Sequence, residues 1–217
     1  MASSHKFASS DVVSMFPTLV WKLALGRGVC ASLNTEILGA IADLRGTGLP
    51  LAPGESWQSP PGLHHRLRLG SLFDAVHAAV HGVLAFLRIG ADGLVITGSW
   101  ATVNAPGAAH TMHTHPNNYL SGVYYVQVEP GADTINFHDP RPQTAIMRAP
   151  VTELTSANTD QVVVSVRAGA LLLFPSWLAH SVDANASSRE RVSVSFNLMF
   201  PEFAEHLAKP LWGGEET

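Results

Sequence analysis

The sequence predicts an α+β chain in which two helices precede a β-rich part that closes as a sandwich or jelly roll. Three observations carry this. Two early segments place apolar residues at helical spacing, Leu33, Ile37, Ile41 and Leu44, then Leu72, Val76, Val80 and Leu84. From Leu94 onward the texture changes to seven or eight short β-branched and aromatic runs separated by turn residues such as Pro130-Gly131 and Ala168-Gly169. Apolar residues make up 46% of the 217-residue chain and charged residues only 14%, enough to build a large core.

Each element follows in order. Met1 to about Ser14 reads as a loose start, and Phe16 to Ala24 as a first strand. Leu33 to Leu44 is the first helix. Proline and glycine from Gly46 to Gly62 mark a long loop containing Trp57-Gln58-Ser59. The second helix covers Leu69 to about Ile89. His77 and His81 lie at i,i+4 on it, but lack the Glu of the zinc-binding helix motif and read as ordinary helix residues. The strands are Leu94 to Val103, Ser121 to Val128, Thr134 to Phe137, Val151 to Leu154, Gln161 to Val166, Ala170 to Phe174, His180 to Val182 and Arg191 to Phe200. No repeat or low-complexity linker divides the chain, so a single domain over 1–217 is expected: a helical support to about 93, a β core over about 94–200, and a tail over 201–217.

Composition narrows the function. A formal net charge of −4 and the absence of any Lys/Arg run give no reason to expect nucleic acid. Cys30 is the only cysteine, which excludes an internal disulfide framework and a Cys-rich zinc site. No secretory signal stands out, and no run of about 18 apolar residues appears. The expectation is a soluble, cytoplasmic protein acting on a small molecule, without a membrane or nucleic-acid partner; oligomeric state has no signature.

The densest chemical signal is Ala109-His110-Thr111-Met112-His113-Thr114-His115-Pro116. On an extended chain residues i and i+2 share a face, so His113 and His115 can reach one point. His180, in Phe174-Pro175-Ser176-Trp177-Leu178-Ala179-His180, is a distant third candidate. Such convergence suits a metal ion, and neutral imidazoles suit iron(II), zinc, copper or nickel. His110, three residues before His113, is the chief rival ligand; His64, His65 and His138 are spare.

The order of several blocks resembles the 2-oxoglutarate- and iron(II)-dependent oxygenases, in particular a bacterial branch of that superfamily. They are Trp100, His113-Thr114-His115-Pro116, Leu120 to Tyr125, Ile135 to Arg141, Gly169 to His180 and Arg191 to Asn197. The resemblance implies a double-stranded β-helix (jelly-roll) core with the helices packed on one sheet. It also implies Fe(II), 2-oxoglutarate and O2 as cofactors, with decarboxylation coupled to oxidation of a substrate and hydroxylation as the default outcome. His113 matches the first ligand and His180 the distal one. His115 stands where the family usually has Asp or Glu, so all three ligands would be neutral.

The resemblance further implies an arginine anchor for the co-substrate's distal carboxylate, matched by Arg191 with Ser193 on the same strand face. Arg189, two residues earlier, is the alternative. Tyr125 matches a tyrosine that bonds the same carboxylate in prolyl-hydroxylase-like members. Asn197 is a further candidate for the co-substrate site, while Asn117 and Asn118 are candidates to line it, and Asn104 lies upstream. Asp139-Pro140-Arg141 reads as an arginine held by its own aspartate, or alternatively as one reaching an anionic substrate, Trp177 as a cover over the ligand loop, and Trp57 to His65 as a lid. Other chemistries compatible with the residues are a three-histidine cupin-type dioxygenase without 2-oxoglutarate and a non-catalytic metal- or ligand-binding jelly roll. A halogenase needs the carboxylate position empty, and a zinc hydrolase lacks an obvious glutamate base.

Overall fold

The computed structural model describes residues 9–46, 50–66, 69–141 and 146–205. In chain order their elements are β1 (Trp21–Ala24), α1 (Arg27–Arg45), β2 (Ser56–Gln58), α2 (Gly70–Leu87), β3 (Val95–Asn104), β4 (His110–His113) and β5 (Leu120–Gln127). These are followed by β6 (Thr134–His138), β7 (Gln161–Ser165), β8 (Ala170–Pro175), β9 (His180–Val182), β10 (Arg191–Met199) and a short α3 (Pro201–Ala204). Among the described residues the ten strands form two antiparallel sheets, the larger in the order β1-β8-β5-β10-β3-β2 and the smaller β4-β9-β6-β7. The two sheets face each other as a jelly roll, and the N-terminal helices cover the outer face of the larger one.

Strand alternation divides the core into two layers. On β5, Tyr124 and Val126 pack towards the helices while Val123 and Tyr125 face the smaller sheet. On β8, Leu171 and Leu173 join the helix layer, and Ala170, Leu172 and Phe174 the layer between the sheets. Strands covered on both faces lose the apolar–polar alternation of a half-buried sheet, hence the near-continuous Leu120 to Val126 and Ala170 to Phe174 runs. β10 is the exception that matters. Val192, Val194, Phe196 and Leu198 face the helices, whereas its inner face carries the polar Arg191, Ser193, Ser195 and Asn197.

Helix α2 is long and apolar enough to cross a membrane by length and composition alone. Its Leu72, Phe73, Val76, Val80, Val83 and Leu84 are nevertheless buried in the helix layer, each burial contributing roughly 1.5–3 kcal/mol. Helix α1 is clamped to the sheet by a polar pair. Tyr124 donates from its hydroxyl to Asn34 Oδ1 (2.7 Å), and Asn34 Nδ2 donates to the Val126 carbonyl (2.8 Å).

Several predicted boundaries shift. The first strand starts at Trp21 rather than Phe16, and α1 starts at Arg27, six residues before Leu33. Val151 to Leu154 is not a strand. The predicted loop at Gly46–Gly62 contains β2, which pairs with β3 (Ser56 with Asn104, Gln58 with Thr102). Nor is Trp57 to His65 a lid. Ser59 and Gly62 donate backbone N–H groups to the Ala101 and Ser99 carbonyls, and the His64 N–H to Ser99 Oγ, so this stretch is a fixed wall.

Gly122 lies between Leu173 of β8 and Phe196 of β10. A Cβ there would sit 2.4 Å from Phe196 Cζ and 2.7 Å from the Leu172 carbonyl oxygen. The ring occupies the space that a side chain would need. Gly122→Ala is therefore expected to destabilise the fold by about 2 kcal/mol or more, read as a lower denaturant midpoint at unchanged slope.

Candidate metal centre and anion pocket

The centre is assembled by one strand pair and two linked turns. β4 and β9 pair antiparallel with His113 opposite His180. His115 follows two residues after β4 ends, and its N–H donates to the Ser176 carbonyl in the turn leading into β9 (2.9 Å). The segments delivering the second and third histidines are thus hydrogen-bonded to each other. Ring centroids stand 5.1 Å (His113–His115), 4.3 Å (His113–His180) and 5.2 Å (His115–His180) apart.

The ligand atoms of the three lie within 4.8 Å of one another. Small ring rotations would close that spread onto one ion with bonds of about 2.1 Å. The tautomers are set for it. His113 Nδ1 faces the Thr111 carbonyl (2.8 Å) and His180 Nδ1 the Leu178 carbonyl (2.9 Å). A carbonyl only accepts, so in both rings Nδ1 carries the proton and Nε2 keeps its lone pair, the arrangement typical of metal-binding histidine. Burial, reinforced by His180 and His113, pushes His115 down to about 4. Burial also pushes His180 down to about 4, against the opposing Leu178 hydrogen bond. Both are therefore neutral at pH 7, the form that binds a cation. The donor set fits a first-row divalent metal: three imidazole nitrogens, no carboxylate in the cluster, and an open side towards the cavity.

The same cavity reaches Tyr125, Arg191 and Ser193 at its inner end. Arg191 is only 5% exposed. Its Nη2 donates to Asn104 Oδ1 (3.3 Å), its Nε has no partner, and it forms no ion pair among the described residues. Burial lowers its pKa, and the neighbouring Tyr125 hydroxyl opposes that shift. Thr102 Oγ1 is also buried without a partner, and Thr102 pairs with Ser193. A desolvated guanidinium with an orphaned N–H is costly unless an anion meets it.

The other candidates separate cleanly. Arg189 is exposed and paired with Glu129 (3.1 Å), which removes it as the anchor. His110 lines the cavity, but its Nε2 lies 2.9 Å from Asn104 Nδ2 and it is outside the three-histidine cluster. Asn197 is not brought to the cavity. Its Oδ1 accepts from Ser121 Oγ (2.8 Å), which also contacts Ser176 Oγ, so it braces the turn that holds His115. Asn117 takes a left-handed conformation (φ 62°) and Asn118 bonds Thr97 and the Pro116 carbonyl. Both build the turn after Pro116. Arg141 is held by Asp139 (2.6 Å). Trp177 is 55% exposed. Trp100 lies tilted against His115, with centroids 5.9 Å apart, and Gln58 from β2 completes the cavity wall. The sequence marks Gln58 only as part of the Trp57 to His65 stretch; its pairing with Thr102 of β3 brings it to the cavity.

Fold and site together give a jelly-roll protein in which three histidines that could hold a metal ion and a buried, unpaired guanidinium line one cavity. Residues 98–197 match the family described as "Putative 2OG-Fe(II) oxygenase". Over that stretch, which holds the three histidines and Arg191, the chain is similar to the 2-oxoglutarate- and iron(II)-dependent oxygenases, a class that uses iron(II), 2-oxoglutarate and O2. Among solved structures it is similar to a Pseudomonas putida prolyl-4-hydroxylase (16% identity, covering 84% of this chain and 93% of that one, TM-score 0.55). HygX from Streptomyces hygroscopicus, with nickel and 2-oxoglutarate bound, is similar at 14% identity, 85% and 83% coverage and TM-score 0.57. The epimerase SnoN in complex with Fe3+, alpha ketoglutarate and nogalamycin RO is similar at 15% identity, 91% and 88% coverage and TM-score 0.59. At these identities the likeness is one of fold. No curated protein matches the sequence.

Removing a ligand should separate the centre from its neighbour. Alanine at His113, His115 or His180 is expected to weaken iron(II) binding about a hundredfold or more. His110→Ala should stay within a few-fold of wild type. Anaerobic competition against a chromophoric chelator measures both.

Proposed function

We propose that the chain couples 2-oxoglutarate decarboxylation to oxidation of a small molecule, with hydroxylation as the outcome. In this reading His113, His115 and His180 hold iron(II) through Nε2, and Arg191 holds the distal carboxylate of 2-oxoglutarate with help from Ser193 and Tyr125. The observation that carries it is the buried, unpaired guanidinium at the inner end of the cavity that the three histidines line. A cupin-type site that uses no such co-substrate would leave that charge without a partner.

Bound iron(II) supplies the redox chemistry that couples co-substrate decarboxylation to substrate oxidation. The chain's own share is positional. The carbonyls of Thr111 and Leu178 fix two imidazoles in the ligand-ready tautomer. Phe174, Ile135 and Val123 line the cavity with apolar surface and limit water. Arg191 orients a dicarboxylate by its far end, which turns the near end towards the histidines. Small-molecule substrates suit the class: HygX has also been solved with hygromycin B bound. Arg191 is the one permanently charged side chain lining the cavity among the described residues. The reading therefore favours a substrate recognised by shape, aromatic contact with Trp100 and hydrogen bonds, such as from Gln58.

Anaerobic titration of the iron(II) protein with 2-oxoglutarate should produce a weak visible charge-transfer band, and aerobic turnover with substrate should release succinate. No band at millimolar co-substrate would sink the proposal.

Arg191→Met makes a second test. It should abolish the band while leaving the co-substrate-free protein at least as stable as wild type, because an uncompensated buried charge is removed. Thermal melts with and without 2-oxoglutarate report both effects. A large loss of stability without co-substrate would mean that Arg191 is structural.

A further inference from the structure

We propose that Asn104 is the positioning residue of the inner end of the cavity, and that His110, held by it with the proton on Nδ1, is a second donor to the anion docked on Arg191. This rests on the reading of Arg191 as the 2-oxoglutarate anchor.

Asn104 ends β3 and lies opposite Arg191 on one side and Ser56 on the other. Its side chain is buried and spends every polar group. Nδ2 donates to Ser56 Oγ (2.7 Å) and meets His110 Nε2 (2.9 Å), while Oδ1 accepts from Arg191 Nη2 (3.3 Å). The orientation is forced, because a guanidinium only donates and must face the oxygen. The amide nitrogen must then face His110, whose Nε2 has to be the acceptor. A neutral His110 therefore carries its hydrogen on Nδ1, and that atom has no protein partner among the described residues. Asn185 Nδ2 donates to the main-chain carbonyl of Asn104 (3.2 Å) and fixes its backbone as well.

One carboxamide thus sets two groups on the same cavity. It aligns the fork of Arg191 and it decides which face of His110 is a donor. With the other tautomer, a lone pair in place of an N–H would be left for a carboxylate. Sequence reading placed His110 only as a rival metal ligand, but its occupied Nε2 gives it a different part. β2 acquires a purpose too, since Ser56 takes the second amide hydrogen and so locks the rotation of the carboxamide.

The test separates this role from simple packing. Asn104→Asp keeps the shape, pairs with Arg191 and loses the donor to His110. Long-range 15N–1H spectra of the histidine rings at neutral pH, on protein without co-substrate, should show His110 as the Nδ1–H tautomer in wild type and as Nε2–H in Asn104→Asp. 2-Oxoglutarate affinity, from the anaerobic charge-transfer titration, should fall about tenfold in His110→Phe and about a hundredfold in Asn104→Asp. Iron(II) affinity should stay within a few-fold in both. An Nε2–H His110 in wild type overturns the proposal. So does co-substrate binding at wild-type strength in both variants while Arg191→Met abolishes it. If wild type itself binds no 2-oxoglutarate, the functional reading falls and takes the donor role of His110 with it. Should Asn104→Asp fail to fold, the wild-type tautomer and His110→Phe decide.

Discussion

The structure depends most on an isolated charge: a guanidinium set between two apolar layers with no carboxylate opposite it. Arg191 opens β10, the strand whose outer face carries Val192, Val194, Phe196 and Leu198 into the helix layer. The apolar burial of that face anchors the strand while its inner face bears polar groups. Without α1 and α2 the larger sheet would have one face exposed and the other unable to drive folding where Arg191, Ser193 and Ser195 sit. The helices support the cavity energetically although neither α1 nor α2 contributes a residue to its lining among those described.

Alternation makes this division possible, and hydrogen bonds make it directional. β10 places Arg191 and Ser193 on one face by period two. Pairing of β4 with β9 puts His113 against His180. The serine pair Ser121–Ser176, backed by Asn197, ties the turn before His180 to the central strands. The three histidines come from two segments far apart in sequence, yet each segment is held by main chain that is itself paired, so their convergence is a property of the sheet rather than of mobile side chains.

Much of this was legible in the sequence because it depends on local rules. Period-two spacing relates His113 to His115 and Arg191 to Ser193 without any knowledge of the fold, and the apolar runs of β5 and β8 mark doubly covered strands. What could not be read depends on partners distant in sequence. Asn104 looks like any amide at a strand end until Arg191, Ser56 and His110 surround it. Asn197 looks like a cavity residue until Ser121 claims its oxygen. Arg189 and Arg191 share a strand face in principle, and only Glu129, some 60 residues away in sequence, takes the first out to solvent. β2 was hidden because three residues flanked by proline and glycine carry no periodicity, and pairing with β3 alone defines them.

The histidine in the carboxylate position acquires its meaning from Arg191. Three neutral imidazoles leave the full charge of a divalent ion uncompensated by the protein. The other permanent charge lining the cavity is also positive. His110 lines the same cavity, and burial, reinforced by Arg191 and His113, pushes it down to about 4. A divalent ion on the histidines and the guanidinium would put two centres of positive charge on one cavity, which would suit a molecule with acid groups at both ends. An aspartate at position 115 would satisfy the metal locally and weaken that demand. On the proposed reading, His115 leaves the attraction for a dianion to be shared between the metal and the guanidinium. The departure from the family pattern therefore strengthens the electrostatic case for 2-oxoglutarate, which brings the negative charge that the ligand set lacks.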